Sequence, residues 1–241
     1  MELITIACLD MAGTTVADDG GVLAAFAAAI GRCGLAEGTP AHDQAMKTAQ
    51  ATMGQSKIEV FRQIFTDEAD AQRANTAFEE CYAASVTAGG VEAVPGAAEV
   101  MARLGQAGIR VCLATGFAPA TRDAVIGRLG WWPLIDLALS PADAGRGRPW
   151  PDMPLTALLR LGGGAVSELA VVGDTPSDIE SGRRAGAGLV AGVLTGRSSR
   201  DGRILKLSTY SCATAASPRS LRALNSGRWP TRANVTFGGM G

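Results

Sequence analysis

The chain contains a single histidine, His42, and only three lysines, Lys47, Lys57 and Lys206, in 241 residues. One histidine excludes a histidine-rich metal centre, and a Ser-His-Asp triad would have to be built on that residue. The five cysteines (Cys8, Cys33, Cys81, Cys112 and Cys212) are scattered and form no CxxC pair. That spacing speaks against a zinc site or a disulfide framework and fits reduced thiols in a cytoplasmic protein. No apolar run approaches the ~20 residues of a membrane-spanning helix. Residues 1–13 include Asp10 and no basic segment, which is not the pattern of a signal peptide. A formal net charge of −1 lacks the basic surplus that nucleic acid or an anionic membrane would call for. The expected partner is therefore a small molecule, and a homodimer is compatible with the pattern.

Because 19 of the 22 basic residues are arginine, a bare positive charge is mostly supplied by guanidinium. Each lysine is then worth inspecting for amine chemistry, which arginine cannot perform.

What is present is a rhythm of short apolar runs. Residues 3–9 (LITIACL), 109–114 (IRVCLA), 134–139 (LIDLAL) and 169–172 (LAVV) read as strands buried on both faces, and 189–194 as a weaker fifth. Helical stretches at 96–106, 119–129, 151–161 and 177–185 fall between the later runs. Strands alternating with helices predict an α/β fold, a Rossmann-like doubly wound parallel sheet. The first connection breaks the rhythm. Residues 22–33, 41–52, 57–65 and 68–86 are all helix-like, which predicts an inserted helical cap domain at 16–92. The core is then 1–15 plus 93–201. Residues 1–201 hold all 23 acids and 16 bases, whereas 202–241 hold six bases and no acid. This basic tail lacks periodicity and is expected to be poorly ordered and to add little to any site.

Four motifs carry chemistry. Asp10-Met11-Ala12-Gly13-Thr14-Thr15 places a carboxylate at the exit of a buried strand, followed by a tight turn whose N–H and hydroxyl groups suit phosphate oxygens. Thr115-Gly116 puts a hydroxyl at the end of the second core strand. Gly147-Arg148-Pro149 supplies a cation that can neutralise charge building up on a phosphoryl group. Asp174-Thr175-Pro176-Ser177-Asp178 gives two carboxylates, the second in the first turn of a helix, where the dipole favours an anion. Carboxylates clustered opposite Asp10 need a cation, and oxygen ligands suit Mg²⁺.

This constellation resembles the haloacid dehalogenase (HAD) superfamily of phosphotransferases, over about residues 3–195. The resemblance implies Asp10 as the nucleophile, Thr115 and Gly116 as phosphate binders and Arg148 as the basic group. It also implies a Mg²⁺ site made of Asp10, the Ala12 carbonyl, Asp174 and Asp178. Most phosphatases of that superfamily carry a second Asp where Ala12 stands, and it protonates the leaving oxygen. The branch that dispenses with it is phosphonoacetaldehyde hydrolase, or phosphonatase. Asp-x-Ala-Gly-Thr-Thr is similar to its nucleophile motif, and Met53-Gly54-Gln55-Ser56-Lys57-Ile58-Glu59 to its cap motif. By that resemblance Lys57 forms a Schiff base with an aldehyde, Met53 packs near the substrate, and the reaction cleaves a carbon–phosphorus bond. Two positions depart from the branch: Val60 stands where it has histidine, and Phe117 where it has tyrosine. The substrate is accordingly a phosphonate, or a phosphate ester if the chain is a phosphomonoesterase. A non-catalytic phospho-ligand binder is the remaining alternative, and the intact Asp10, Asp174 and Asp178 argue against it.

The local sequence adds its own argument for Lys57. Ser56 and Glu59 are spaced as a capping box, which makes Lys57 the first residue of a helix. A cation there faces the positive end of the helix dipole, and with desolvation it is pushed toward the neutral amine. His42 and the Trp131-Trp132 pair receive no chemical role; His42 is expected to be structural or exposed and the Trp pair to lie at the surface or pack at an interface.

Overall fold

A computed structural model of the chain describes residues 3–195. The basic tail at 202–241, and the last residues of the expected core, lie outside the described residues. Five parallel strands form one sheet in the order β3-β2-β1-β4-β5: β1 Ile6–Asp10, β2 Arg110–Ala114, β3 Leu137–Leu139, β4 Leu169–Gly173 and β5 Leu189–Gly192. Side chains alternate across the central strands. Ala7 and Leu9 of β1, with Val111 and Leu113 of β2, join the apolar cluster on one face. Ile6 and Cys8, with Cys112 and Ala114, join the cluster on the other. Both faces are covered, which is why these strands read as continuous apolar runs. Helices α5 (Ala97–Gln106) and α6 (Pro119–Leu129) supply Met101, Leu104, Val125 and Ile126 to the first face. Met153 and Leu158 of α8 (Asp152–Arg160) and Ala185 of α9 (Pro176–Ala185) fill the second. A single-turn helix, α7 (Pro141–Ala144), precedes α8.

Between β1 and α5 the chain forms four helices, α1 Gly21–Arg32, α2 Pro40–Ala51, α3 Lys57–Ile64 and α4 Glu68–Thr87. They pack chiefly on one another, with α4 also resting on α6. Two of them start on side-chain caps. Thr39 accepts from the His42 amide ahead of α2, and Asp67 accepts from the Ala69 and Asp70 amides at the start of α4. The two passages between core and insert run side by side. Val16 bridges Ala93, the Ala17 amide donates to Glu92 and the Val94 amide to Thr15, both at 2.9 Å.

Some sequence expectations differ from the fold. Residues 132–134 form a 3₁₀ turn, so the third strand begins only at Leu137; Pro133 sits in this turn and cannot join a ladder. Trp131 is buried in the core while Trp132 is exposed. His42 is buried on α2. Among the described residues, no helix is long and apolar enough to cross a membrane.

Leu113 is fully buried at the middle of the sheet. Leu113→Ala is expected to destabilise the protein by about 2–5 kcal/mol through lost burial and the cavity left behind. Chemical denaturation should give a lower midpoint with an unchanged slope.

Candidate active site

Parallel sheets offer a crevice at the carboxyl edge where the strand order reverses, here between β1 and β4. Asp10 is the last residue of β1, Asp174 follows the last residue of β4, and Asp178 lies in the first turn of α9. Each contributes a carboxylate oxygen to a buried cluster whose atoms all lie within 4.8 Å of one another. Asp178 is held by its own helix start. Its Oδ2 accepts from the Thr175 amide at 3.0 Å and the Thr175 hydroxyl at 2.5 Å, while Thr175 accepts in return from the Asp178 amide. Asp178 Oδ1 is left facing the cluster. The Thr14 hydroxyl donates to Asp174 Oδ1 at 3.2 Å, and the Thr15 hydroxyl to the Asp10 carbonyl at 2.9 Å. Gly13, at φ 92°, has Asp174 where a Cβ would stand, so only glycine permits the approach.

The crowding has an electrostatic consequence. Burial raises the Asp10 carboxyl well above the ordinary range; Arg148 opposes this, and the charges of Asp178 and Asp174 reinforce it. Burial, then Asp178, pushes Asp174 up to about 7. Three carboxylates face one guanidinium. This donor set of hard oxygens, under mutual repulsion, fits a divalent cation of the Mg²⁺ type. Ala12 is half-buried in the turn directly after Asp10.

Arg148 is the cation of the cluster. Its Nη2 donates to the Ala114 carbonyl at 2.8 Å. Its Nη1 lies 2.8 Å from Asp10 Oδ1, and its Nε 2.7 Å from Asp178 Oδ1. These two contacts are ion pairs without hydrogen-bond alignment, so Nη1 and Asp178 Oδ1 keep unused hydrogen-bonding capacity toward the crevice. Burial disfavours the charged guanidinium, but Asp178 and Asp10 outweigh it and keep the proton on.

Lys57 reaches the same region from the insert. It is the first residue of α3 and only 6% exposed. Its amide donates to the Gly116 carbonyl at 3.3 Å. Three loops of the core receive the segment ahead of it through small residues. A Cβ on Gly116 would strike the Gln55 carbonyl, one on Gly147 would strike Ser56, and a side chain on Gly54 would strike Thr175. The Lys57 Nζ stands 5.3, 5.6 and 5.8 Å from the ring centres of Phe117, Phe26 and Phe78. Burial lowers its pKa; the charges of Asp10, Glu79 and Asp18 oppose that, and Arg148 adds to it. The expected capping box is not formed. Ser56 occupies the N-cap without a side-chain hydrogen bond. Glu59 instead pairs with Arg62 at 2.5 Å on the exposed face, where a full charge is better satisfied than at a neutral amide.

Thr115 is buried at the end of β2 and its hydroxyl accepts from the Phe117 amide at 3.3 Å, leaving its proton available to an anion. Met53 is half-buried and packs on the apolar cluster of the insert side. The structure thus gathers Asp10, Arg148, Asp174 and Asp178 at the sheet edge and brings Lys57 to the same cleft. A cavity of about 670 Å³ opens between core and insert, with Lys57, Gly116, Phe117 and Arg148 on its wall. Sequence reasoning missed the aromatic rings Phe26 and Phe78, and Glu79 on the cavity wall. The helical period that placed these residues inward looks the same for a core and for a site. The scarcity of phenylalanine was a usable signal: of six in the chain, Phe26, Phe61, Phe78 and Phe117 share one cluster.

The family model for haloacid dehalogenase-like hydrolases matches residues 4–186. A phosphonoacetaldehyde hydrolase of Bacillus cereus is 36% identical over 142 residues, 58% of this chain and 52% of that protein. The match therefore spans about half the length of that relative. A protein of Dickeya dadantii (strain 3937) named "Probable phosphatase IndB" is 29% identical over 181 residues, 73% of this chain and 76% of its own length. The crystal structure of a phosphonoacetaldehyde hydrolase-like protein from Oleispira antarctica superimposes with a TM-score of 0.69 at 24% identity, covering 94% of this chain and 83% of that one. At that identity the likeness speaks to the fold.

A carboxyl raised in the folded state binds its proton more tightly than the unfolded chain does. For Asp174 the resulting stability is complete below its ordinary 3.8 and is lost as pH rises toward about 7. The melting temperature of the protein in chelator is therefore expected to fall across that window. Mg²⁺ should flatten the dependence, and Asp174→Asn should reduce it. Thermal melts at stepped pH, with and without the ion, check this.

Proposed function

Because the chain belongs to the haloacid dehalogenase-like hydrolases, we propose that it is a phosphonatase-like enzyme. It cleaves the carbon–phosphorus bond of phosphonoacetaldehyde, or of a related oxo-phosphonate, to phosphate and the carbonyl product. One observation carries this reading. A buried lysine amine, lined by three phenylalanine rings, shares a cavity wall with Arg148 and lies near enough to Asp10 to feel its charge. A phosphatase that acts through a strand-end carboxylate has no use for such an amine. The likeness to a phosphonoacetaldehyde hydrolase supports the same substrate class, and residues 16–92 then serve as the cap that closes over it.

In this mechanism Lys57, favoured as the neutral amine by burial, adds to the substrate carbonyl and expels water to give an iminium. Asp10 attacks phosphorus. The electron pair of the breaking carbon–phosphorus bond moves into the iminium, giving an enamine on Lys57 and an aspartyl-phosphate on Asp10. Water hydrolyses the aspartyl-phosphate. Protonation of the enamine carbon and hydrolysis of the imine then release acetaldehyde and free Lys57. Ala12 is consistent with this route, since the leaving carbon is stabilised by the iminium and needs no carboxylic acid beside it. Arg148 orients Asp10 and opposes the charge growing on the phosphoryl oxygens. The Thr115 hydroxyl and the residues of the 11–16 turn bind those oxygens. Asp10, the Ala12 carbonyl, Asp174 and Asp178 would hold Mg²⁺, which when bound offsets the negative charge of the carboxylates and the phosphonate.

A phosphomonoesterase is the second reading, favoured by the broader likeness to the Dickeya protein. The two diverge at Lys57. Lys57→Arg keeps the charge but removes the nucleophilic amine. It is expected to lower phosphate release from phosphonoacetaldehyde by at least about 10³-fold, since no imine forms. Borohydride with substrate should inactivate the native protein and leave a mass adduct on Lys57. A phosphomonoesterase would show no adduct, and Lys57→Arg would still hydrolyse p-nitrophenyl phosphate. Turnover should also stop in excess chelator and return with Mg²⁺; full activity in chelator would count against both readings.

A further inference from the structure

Imine formation needs more than an amine. After the amine adds, the carbinolamine hydroxyl must leave as water, and a neighbouring acid has to protonate it. Glu59 and Glu79 are the carboxylates on the wall of the 670 Å³ cavity that holds Lys57. Glu59 is exposed and paired with Arg62. Glu79 differs in every respect. It projects from α4 toward the loop that also receives Lys57: the Ala118 amide donates to its Oε1 at 3.1 Å, while the Lys57 amide donates to Gly116 two residues earlier. The nearby Thr121 hydroxyl favours its charged form. Its Oε2 is buried and has no partner in the protein.

We propose that Glu79 is the acid–base residue of the Lys57 imine steps, its free Oε2 serving the oxygen that leaves and later returns at the substrate carbonyl carbon. The inference rests on the Schiff-base reading above. In the forward step the carboxylic acid gives its proton to the carbinolamine hydroxyl. The carbon–oxygen bond breaks, water departs and the nitrogen lone pair forms the iminium. Glu79 is left as a carboxylate beside that new positive charge. In the hydrolytic step the carboxylate takes a proton from the water that attacks the imine carbon, which restores the acid. No oxidant or further reactant is required.

The setting supports the proton's starting position. Burial raises the Glu79 pKa, against the hydrogen bonds from Thr121 and Ala118 and the charge of Lys57. The groups that face it are Lys57 from α3, the Thr121 hydroxyl from α6 and Tyr82 on its own helix. Arg32 of α1 is engaged at the surface with Glu80. Arg62, Arg146 and Arg148 stand elsewhere on the cavity wall.

The test measures the rate of borohydride-trapped adduct on Lys57 with phosphonoacetaldehyde, as a function of pH. In the native protein the rate should rise as Lys57 loses its proton and fall as Glu79 loses its own. Glu79→Gln keeps an acceptor for the Ala118 amide and should retain the native melting temperature. It is expected to slow trapping by about 10²-fold or more and to lose the alkaline fall. Trapping at the native rate, or slowed with the native pH profile intact, would reduce Glu79 to a structural role and overturn the proposal while leaving the Schiff base standing. A native protein that is never trapped removes the Schiff base and this inference together. If Glu79→Gln does not fold, the native profile still decides, because a rate that stays flat through the alkaline range leaves no acid to assign.

Discussion

Everything at the site depends on one guanidinium holding three oxygens at the carboxyl edge of the sheet. Arg148 touches Asp10 at the end of β1, Asp178 at the start of α9 and the Ala114 carbonyl at the end of β2. Burying Asp10, Asp174 and Asp178 together is costly unless positive charge accompanies them. Arg148 supplies one such charge and stays protonated because the acids surround it. The surplus of acid over base is what makes the cluster a cation site. Burial and the charge of Asp178 hold Asp174 at about 7, against the Thr14 hydrogen bond and Arg148.

A second constraint joins the insert to this edge. The segment before α3 is received by loops after three different strands, and at Gly54, Gly116 and Gly147 the gap has no room for a side chain. The contact sets where Lys57 begins its helix, and the helix start sets where its amine points. The surrounding rings then exclude water from the amine. They act in opposite senses: their faces attract a cation, while their apolar bulk disfavours it. Desolvation is the larger influence here, and Lys57 is displaced toward the neutral amine.

The paired crossings at residues 15–17 and 92–94 place the entry and exit of the insert directly beyond Asp10. The turn that follows the nucleophile therefore serves two purposes. Thr14 and Thr15 lock it to Asp174 and to the strand end, and the chain leaves it for the insert.

Much of this was legible in the residues. Continuous apolar runs placed β1, β2 and β4 to within a few residues, because strands covered on both faces need apolar side chains at every position. The position of Asp178 in the first turn of a helix was a local reading, and α9 begins there. Strand-end Asp10, Asp174 and Asp178 could be assigned to one edge because a parallel sheet brings all its carboxyl ends together. The capping role of Ser56 was misread, since whether Glu59 turns back to an amide or outward to Arg62 depends on exposure, which no local pattern contains. Glu79 and the placing of Phe26 and Phe78 beside Lys57 were not local either. Phe26 and the Phe78-Glu79 pair lie on helices far apart along the chain, and their spacing carries only the helical period. Local pattern was enough for the elements, their order and the residues offered to the sheet edge. Which of the scattered side chains surround Lys57 follows from how the insert packs back on the core, and no local pattern carries that.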